Sequence, residues 1–306
     1  MSQAPSTKPW SVEQRLEFIE FMMFWEGNLK RADIVGHFGV SPQQASGDLS
    51  AYQELAPDNL RYDLRAKRYV ATPDFACRLI RPDADRYLRE LTGLTTKTAH
   101  EGTTWLAGTL EADVIPALAR RVDPTILRQL LATIRAKCSV DVEYLSLNSD
   151  ATEQAWRTIT PHAFGSDGAR WHVRAFCHKD RKFKDFLLSR CTGIGQKGEL
   201  GQGGNEDVDW NEFFSAVIVS NPDLSPTQRK VIEHDYGMDN SKVILKIRYA
   251  LLYYFDKRFG ADFAPSKLRK QSGDPRSNPI IISNLEQYKN ALRRVGVSVS
   301  DMDANS

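Results

Sequence analysis

A chain of 306 residues is long enough for two or three domains, each with its own hydrophobic core. With 41% hydrophobic residues, 26% charged residues and a net charge of +2, its composition excludes a disordered or strongly basic protein. The longest apolar run, residues 249–255, is too short to cross a bilayer.

The N-terminus and the cysteines indicate a cytoplasmic protein. The opening text MSQAPSTKPW lacks the basic and then apolar layout of a signal peptide. Cys77, Cys138, Cys177 and Cys191 are scattered without a CxxC pair, as is typical of reduced thiols. We therefore expect no membrane segment, no metal site and no cofactor. Motifs of P-loop, serine-hydrolase and zinc-protease type are missing from the sequence, so we expect no enzyme.

The first eighty residues have the pattern of a winged helix-turn-helix. Ser11 begins a strongly apolar helical segment that ends at Gly27, and a short helix follows over residues 30–38. Ser41 and Pro42 are a typical cap and first residue of a third helix. The alternating text LRYDLRAKRYVAT then predicts two short strands with a basic tip. This order of elements is typical of a winged helix that binds DNA.

The third helix has one buried stripe, formed by Ala45, Leu49 and Tyr52, so its short polar and amide side chains face outward. Such side chains can contact base edges in a major groove, while basic hairpin residues can contact phosphates. Residues 1–81 carry ten basic and ten acidic side chains, so the layout favours DNA and the net charge does not. The residues predicted to contact DNA are Ser41, Gln43, Gln44, Ser46, Ser50, Arg61, Arg65, Lys67 and Arg68.

Residues 81–136 predict a helical linker, in which LEADVIPALARRVDPTILRQLLATIRAK forms two packed helices separated by VDP. Strands follow at CSVDVEYLSL and AWRTITPHAFG. The text GIGQKGELGQGGNEDVD predicts a loop, because no helix follows its GxGxxG match as a dinucleotide site requires. The last hundred residues alternate helical and strand patterns and predict a small α+β module.

The text RWHVRAFCHKDRKFKDFLLSR, residues 170–190, predicts a β-hairpin with a strongly cationic face. Strand alternation separates an apolar face from one with His172 and Arg174, near which Arg190 and His162 could lie. Arginine and histidine beside aromatic rings can hold an anionic or nucleotide-like ligand. The alternative is a solvated outer face.

RWHVRAFC followed by FKDFLLSR resembles the WYL domain, with Trp171-His172-Val173 at the triplet that names it. The resemblance extends to a winged helix at 1–80, a helical linker at 81–136, a WYL domain at 137–200 and a C-terminal extension at 201–306. With PHAF upstream, the chain is most similar to the repressors encoded beside bacterial phage-defence systems of the BREX and CBASS kind. The resemblance implies an α+β multidomain fold with a small Sm/SH3-like β-barrel and a C-terminal α+β dimerisation module.

The resemblance also implies a homodimer that binds double-stranded operator DNA and senses an anionic ligand, such as a nucleotide or nucleic-acid fragment. His172 replaces the family tyrosine, which implies a pH-sensitive contact. Related regulators often carry arginine at the positions of Ser46 or Gly47, so here the hairpin takes more of the phosphate contacts. The positions carried over as ligand-binding are Tyr144, Ser146, His162, Trp171, His172, Arg174 and Arg190.

The sequence therefore predicts a transcriptional repressor of a phage-defence locus, bound to an inverted repeat and regulated through the WYL domain. The alternative is a nucleic-acid-binding accessory protein that holds single strands on the WYL barrel without operator specificity. A nucleotide hydrolase is disfavoured because the sequence offers no carboxylate set for a metal. Ligand identity, operator sequence and the direction of the ligand's effect are not encoded in any recognisable motif.

Overall fold

The computed structural model describes residues 11–96, 104–106, 111–116, 118, 120–146, 155–260 and 274–297. The chain divides into two compact units, residues 1–116 and 117–306. In the described ranges, no helix is long and apolar enough to cross a membrane. All four cysteines are free thiols.

The first unit is a winged helix, as the sequence predicts. Its three-stranded antiparallel sheet has the order β1-β3-β2, in which the two-residue strand β1 was not predicted. The elements are α1 (Val12–Trp25), β1 (Asn28–Leu29), α2 (Arg31–Phe38), α3 (Pro42–Leu55), β2 (Leu60–Asp63), β3 (Arg68–Ala71) and α4 (Ala84–Thr95).

The core of this unit lies between α1, α2 and α3. Ser11 caps α1 and Ser41 caps α3 through their side chains, as expected for serine at these positions. The predicted stripe of Ala45, Leu49 and Tyr52 is completely or almost completely buried. Apolar burial on this scale is the main force that fixes α3 against the other two helices.

Polar groups inside this core hold the segment that follows the wing hairpin. The buried carboxylate of Glu20 accepts a hydrogen bond of 2.9 Å from the Tyr52 hydroxyl. The same carboxylate accepts backbone N–H groups of Arg78, Leu79 and Ile80 at 2.6–2.9 Å. A buried carboxylate is tolerated only when hydrogen bonds satisfy it, so Glu20 ties residues 78–80 to α1.

The second unit contains the WYL region and the C-terminal region. A five-stranded antiparallel sheet has the order β7-β6-β5-β4-β8, and a three-stranded sheet has the order β10-β9-β11. The elements are α5 (Pro124–Ala136), β4 (Cys138–Tyr144), β5 (Ala155–Ser166), β6 (Trp171–Cys177), β7 (Lys182–Leu187), β8 (Cys191–Leu200), α6 (Val208–Asn211), β9 (Phe213–Ser220), α7 (Pro226–Asp235), β10 (Lys242–Arg248), α8 (Tyr249–Phe255), β11 (Ile280–Ile282) and α9 (Leu285–Arg294).

Each sheet of this unit has its own core. Helix α5 packs against β4, β5 and β8, with Ile126 and Leu130 in the core. In the C-terminal region, Leu252 of α8 and Leu292 of α9 pack on the inner face of β9. The five-stranded sheet does not close between β7 and β8 in the described chain, so the small-barrel geometry stays a prediction.

Two predictions of secondary structure were wrong. Residues 111–116 form no helix, which is consistent with Pro116, since proline lacks the N–H that a helix interior needs. The GIGQKGEL segment is strand β8 and not a loop. Gly193 and Gly195 leave room there for Trp156, whose ring atoms would lie 3.2–3.4 Å from a Cβ at either position. Glycine in a strand commonly marks such a close approach.

Candidate functional sites

The outward face of α3 carries the predicted base-reading side chains. Gln43, Gln44 and Ser50 are exposed, and Ser46 is half-buried. The Ser41 hydroxyl accepts the Gln44 N–H at 3.2 Å and is exposed at the start of the helix. These groups have the donors and acceptors that a helix needs to read base edges.

Arg31 is a basic residue that sequence reasoning missed at this surface. It begins α2, and its Nη1 donates to the Ser46 hydroxyl of α3 at 3.2 Å. The Ser46 hydroxyl in turn donates to the Pro42 carbonyl at 3.0 Å. These two hydrogen bonds place a guanidinium beside the first turns of α3.

The hairpin formed by β2 and β3 is the wing. Arg61, Arg65 and Lys67 are exposed on it, as predicted. The side chain of Asp63 accepts the backbone N–H groups of Arg65 and Ala66 at 2.9 Å, which shapes the tip. Arg68 is half-buried and donates to Asn28 of β1 at 3.2 Å. Arg68 thus anchors the wing, while the other three basic side chains remain available to phosphates.

In the second unit, a cavity of about 420 Å³ opens over β6 and β7. It is lined by five cations and one carboxylate, together with tyrosines, so it has the charge and aromatic surface that an anionic ligand requires. Tyr144, Ser146, His172 and Arg190, four of the seven predicted ligand residues, line it. The additional polar and aromatic residues that line it are Arg157, Arg170, Lys184, Asp185, Phe186, Tyr253, Tyr254 and Lys257.

Arg174 does not line this cavity but pairs with protein carboxylates beneath it. Its Nε and Nη2 donate to both oxygens of Asp207 at 2.7 and 3.1 Å, and its Nη1 lies 3.3 Å from Asp185. Asp207 also lies 3.0 Å from Nε2 of His162. Two predicted ligand residues thus converge on one buried carboxylate that follows the WYL region in sequence. Their contact with a ligand stays a prediction.

The electrostatics of this cluster follow from burial and pairing. Burial raises the pKa of Asp207, but hydrogen bonds from His162 and Arg174 outweigh it and hold the pKa at about 2. Burial raises the pKa of Asp185 to about 6, although Arg174 opposes this shift. Asp207 is therefore the permanent anion of the cluster, and Asp185 titrates at mildly acidic pH.

His172 is not the pH-sensitive contact that the sequence implied. Its side chain is 4% exposed, and burial lowers its pKa to about 4, so the imidazole is neutral near pH 7. The ring packs at a tilt of 31° against the ring of Tyr254 in α8, with centroids 4.4 Å apart. Burial disfavours the charged form of an imidazole, and this desolvation is the main cause of the lowered pKa of His172.

The cationic face of β6 is covered by protein and is not solvated. Val173, Ala175 and Cys177 point to the core as alternation predicts, but His172 and Arg174 on the opposite face are also buried. Asp207 and Tyr254, which lie much later in the sequence, cover that face. Trp171 at the start of the strand is 57% exposed and lies outside the cavity lining.

Sequence comparison places these units in one family. Three family models match in chain order: BrxR transcriptional regulator winged helix-turn-helix domain over residues 11–93, WYL domain over 125–194, and BrxR C-terminal dimerization domain over 213–288. A protein called DNA-binding transcriptional repressor CapW from Stenotrophomonas maltophilia is 32% identical over 298 residues, 95% of this chain and 96% of the relative. The chain belongs to the BrxR/CapW family of WYL-domain transcriptional regulators.

Other members of the BrxR/CapW family match most of this chain at a higher identity. CapW repressors from Escherichia coli (strain KTE188) and Pseudomonas aeruginosa are each 37% identical, over 80% of this chain and 81% of the relative. The resemblance seen in RWHVRAFC and its flanking domains is thereby confirmed. In the described residues of this family member, no group of histidine, cysteine and acidic side chains could hold a metal ion.

Proposed function

We propose that this chain is a cytoplasmic transcriptional repressor that binds operator DNA through its winged helix and senses an anionic ligand through its WYL region. The observation that carries the proposal is the exposed polar face of α3 beside a wing that exposes Arg61, Arg65 and Lys67. Its relatives named as DNA-binding transcriptional repressors support the same function. We also propose the domain boundaries at residues 80, 136 and 200 that the sequence predicts.

On this proposal α3 enters the major groove and the wing lies along the backbone. Gln43, Gln44 and Ser50 read base edges, for which amide side chains suit adenine in particular. Ser41, Ser46, Arg61, Arg65 and Lys67 position the domain on the sugar-phosphate backbone, and Arg68 holds the wing in place. Basic residues on the wing make part of the affinity sensitive to salt.

A homodimer places two winged helices on the two halves of an inverted repeat, because the two-fold symmetry of the protein is matched by that of the operator. The match of residues 213–288 to a C-terminal dimerization domain supports the dimer. We propose that the regulated locus is a phage-defence locus, as the resemblance to repressors of such systems implies.

The ligand is an anion held in the cavity of the WYL region. Its lining includes Tyr144, Ser146, His172 and Arg190. Arg190 is one of five lining arginines and lysines, and this positive charge favours phosphate groups over neutral ligands. Ligand binding changes operator affinity only if the ligand prefers one conformation of the dimer.

The test is fluorescence anisotropy of the full chain with two duplexes at two salt concentrations. One duplex is the region upstream of its own gene, and the other is a scrambled duplex of equal length. A preference for the first that survives at the higher salt supports a sequence-specific repressor. Equal and salt-sensitive binding to both overturns it and favours an accessory protein that binds nucleic acid without operator specificity.

A further inference from the structure

One wall of the ligand cavity comes from the C-terminal region, and the sequence did not predict it. Tyr253 and Tyr254 belong to α8, and Lys257 belongs to the π-helical turn Asp256–Gly260 that continues it. Single π-turns are rare and occur often at functional sites. The cavity therefore lies between the WYL sheet and the domain whose family model is named for dimerisation.

The cations that line the cavity differ in whether a carboxylate pairs with them. Arg157 lies 4.0 Å and Lys184 2.7 Å from Asp180, and Arg170 lies 2.7 Å from Asp167. In the described part of the chain, Arg190 and Lys257 have no such carboxylate partner. One of these two cations is supplied by the WYL region and the other by the C-terminal region.

Tyr254 connects the cavity to both regions. Its hydroxyl lies 3.4 Å from Oδ2 of Asp185, and its ring packs at a tilt against His172. A second cavity of about 340 Å³ also has Tyr254 in its lining, together with apolar residues of α8 and the π-helical turn. Because Tyr254 borders two cavities, its side chain can shift without displacing close-packed core atoms.

We propose that the sensor site is shared by the two regions: Arg190 and Lys257 bind the phosphate groups of a nucleotide-class ligand together, and Tyr254 transmits occupancy to the C-terminal region. This inference rests on the proposed ligand sensing and adds the residues that bind and report the ligand. A phosphate drawn between the two cations moves Lys257 relative to β6 and β7. This movement alters the hydrogen bond between the Tyr254 hydroxyl and Asp185. Because Tyr254 belongs to α8, helix α8 is the first element of the C-terminal region to respond.

The first experiment measures binding of two probes to the full chain by calorimetry: thymidine 5′-monophosphate for a free nucleotide and pentathymidylate for a nucleic-acid fragment. Lys257→Gln and Arg190→Gln should each weaken binding of the preferred probe by about tenfold, the effect of losing one charged hydrogen bond. Lys179→Gln, an exposed lysine in the β6–β7 turn outside the cavity, is the matched control and should bind like the unchanged chain. Thermal unfolding confirms that each variant is folded.

The results of this experiment distinguish a failure of the shared site from a failure of nucleotide sensing as a whole. If Arg190→Gln weakens binding and Lys257→Gln does not, the ligand belongs to the WYL region alone and the shared site is wrong, while sensing stands. If the unchanged chain binds neither probe, nucleotide sensing and the shared site both fail. A larger effect on pentathymidylate than on the mononucleotide identifies the nucleic-acid source.

The second experiment tests the role of Tyr254. Tyr254→Phe keeps the ring on His172 but removes the hydroxyl that reaches Asp185. We expect probe affinity within about twofold of the unchanged chain, since the phosphate contacts remain. The change in operator affinity caused by saturating probe should shrink by at least half. An unaltered change in operator affinity overturns the role of Tyr254 as the transmitting residue.

Discussion

The guanidinium of Arg174 holds both carboxylate oxygens of Asp207, 33 residues further along the chain. The side chains are only 8% and 2% exposed, so the pair is dry as well as bidentate. Asp207 also caps α6 by accepting the backbone N–H of Trp210. The pair therefore joins β6 of the WYL region to the first element of the C-terminal region.

Removing one partner should destabilise the second unit strongly. Arg174→Ala leaves Asp207 buried with only His162 and a backbone N–H, and breaking a buried pair of this kind costs about 3 kcal/mol of unfolding free energy. Urea unfolding of the full chain measures the loss. Arg128→Ala, an exposed arginine of α5, is the control and should change the free energy by less than about 0.5 kcal/mol. Equal effects of the two substitutions would show that the pair contributes nothing.

Glu20 should be equally sensitive in the first unit. Glu20→Gln keeps the shape of the side chain but replaces one accepting oxygen by a donor, which faces backbone N–H groups of residues 78–80. An unsatisfied buried group costs about 1–3 kcal/mol, so the unfolding free energy of this unit should fall by that amount. Glu54→Gln on the exposed side of α3 makes the same chemical change at the surface. The account of Glu20 is wrong if both variants unfold at the same urea concentration.

Stability should depend on pH through Asp185 and His172 with opposite signs. The folded pKa of Asp185 is raised to about 6, so its stabilising contribution is complete below its unfolded pKa and is lost as pH rises through 6. Between pH 4 and 7, Asp185→Asn should therefore gain about 2 kcal/mol relative to the unchanged chain, on the rule of 1.36 kcal/mol per pKa unit.

The folded pKa of His172 is lowered to about 4, so stability is lost as pH falls from its unfolded value of 6.5. His172→Gln should accordingly gain relative stability as pH falls, the reverse of the Asp185 variant. Thermal unfolding at several pH values measures both trends. Parallel curves for the two variants and the unchanged chain would contradict the assigned burial of these groups.

Arg31 should contribute to DNA affinity without setting base preference. It is fixed to Ser46 at the start of α3, where a guanidinium can meet a phosphate. Arg31→Ala should weaken binding to operator and scrambled duplexes alike and reduce the slope of log affinity against log salt by about 1. Arg89→Ala on α4 is the matched control from the same unit. A loss confined to the operator duplex would mean that Arg31 reads bases.

Local pattern was enough to predict the winged helix. Its caps at Ser11 and Ser41 and the stripe of Ala45, Leu49 and Tyr52 are set by residues close in sequence, and each lies where the pattern places it. Strand β8 was missed because its glycines lower strand propensity, and the reason for them, Trp156, lies in another strand. A helix was predicted over residues 111–116 from their periodicity. The structure has none there, because Pro116, a signal visible in the sequence, disfavours a helix.

The ligand site was predictable only in part. Alternation along β6 correctly separates His172 and Arg174 from Val173 and Ala175, and Asp185 could have been found as the opposite charge across the hairpin from Arg174. That Asp207 and Tyr254 cover this face depends on tertiary packing of distant segments, which no period in the sequence encodes. A free arginine and a paired one look alike in sequence.

Whether an arginine is paired with a carboxylate decides which variant can separate DNA binding from ligand sensing. Arg174→Ala would disturb the fold, whereas Arg190 lines the cavity and has no carboxylate partner in the described residues. Arg190→Gln therefore removes a charge from the sensor site at little structural cost. Arg65→Ala removes a charge from the exposed wing in the same way.

The most direct test is the operator affinity of these two variants in fluorescence anisotropy without ligand. We expect Arg65→Ala to weaken operator binding several-fold, since one phosphate contact is lost, and Arg190→Gln to bind the operator like the unchanged chain. If Arg190→Gln loses DNA binding and Arg65→Ala keeps it, nucleic acid is held by the WYL region, and the winged helix does not read the operator.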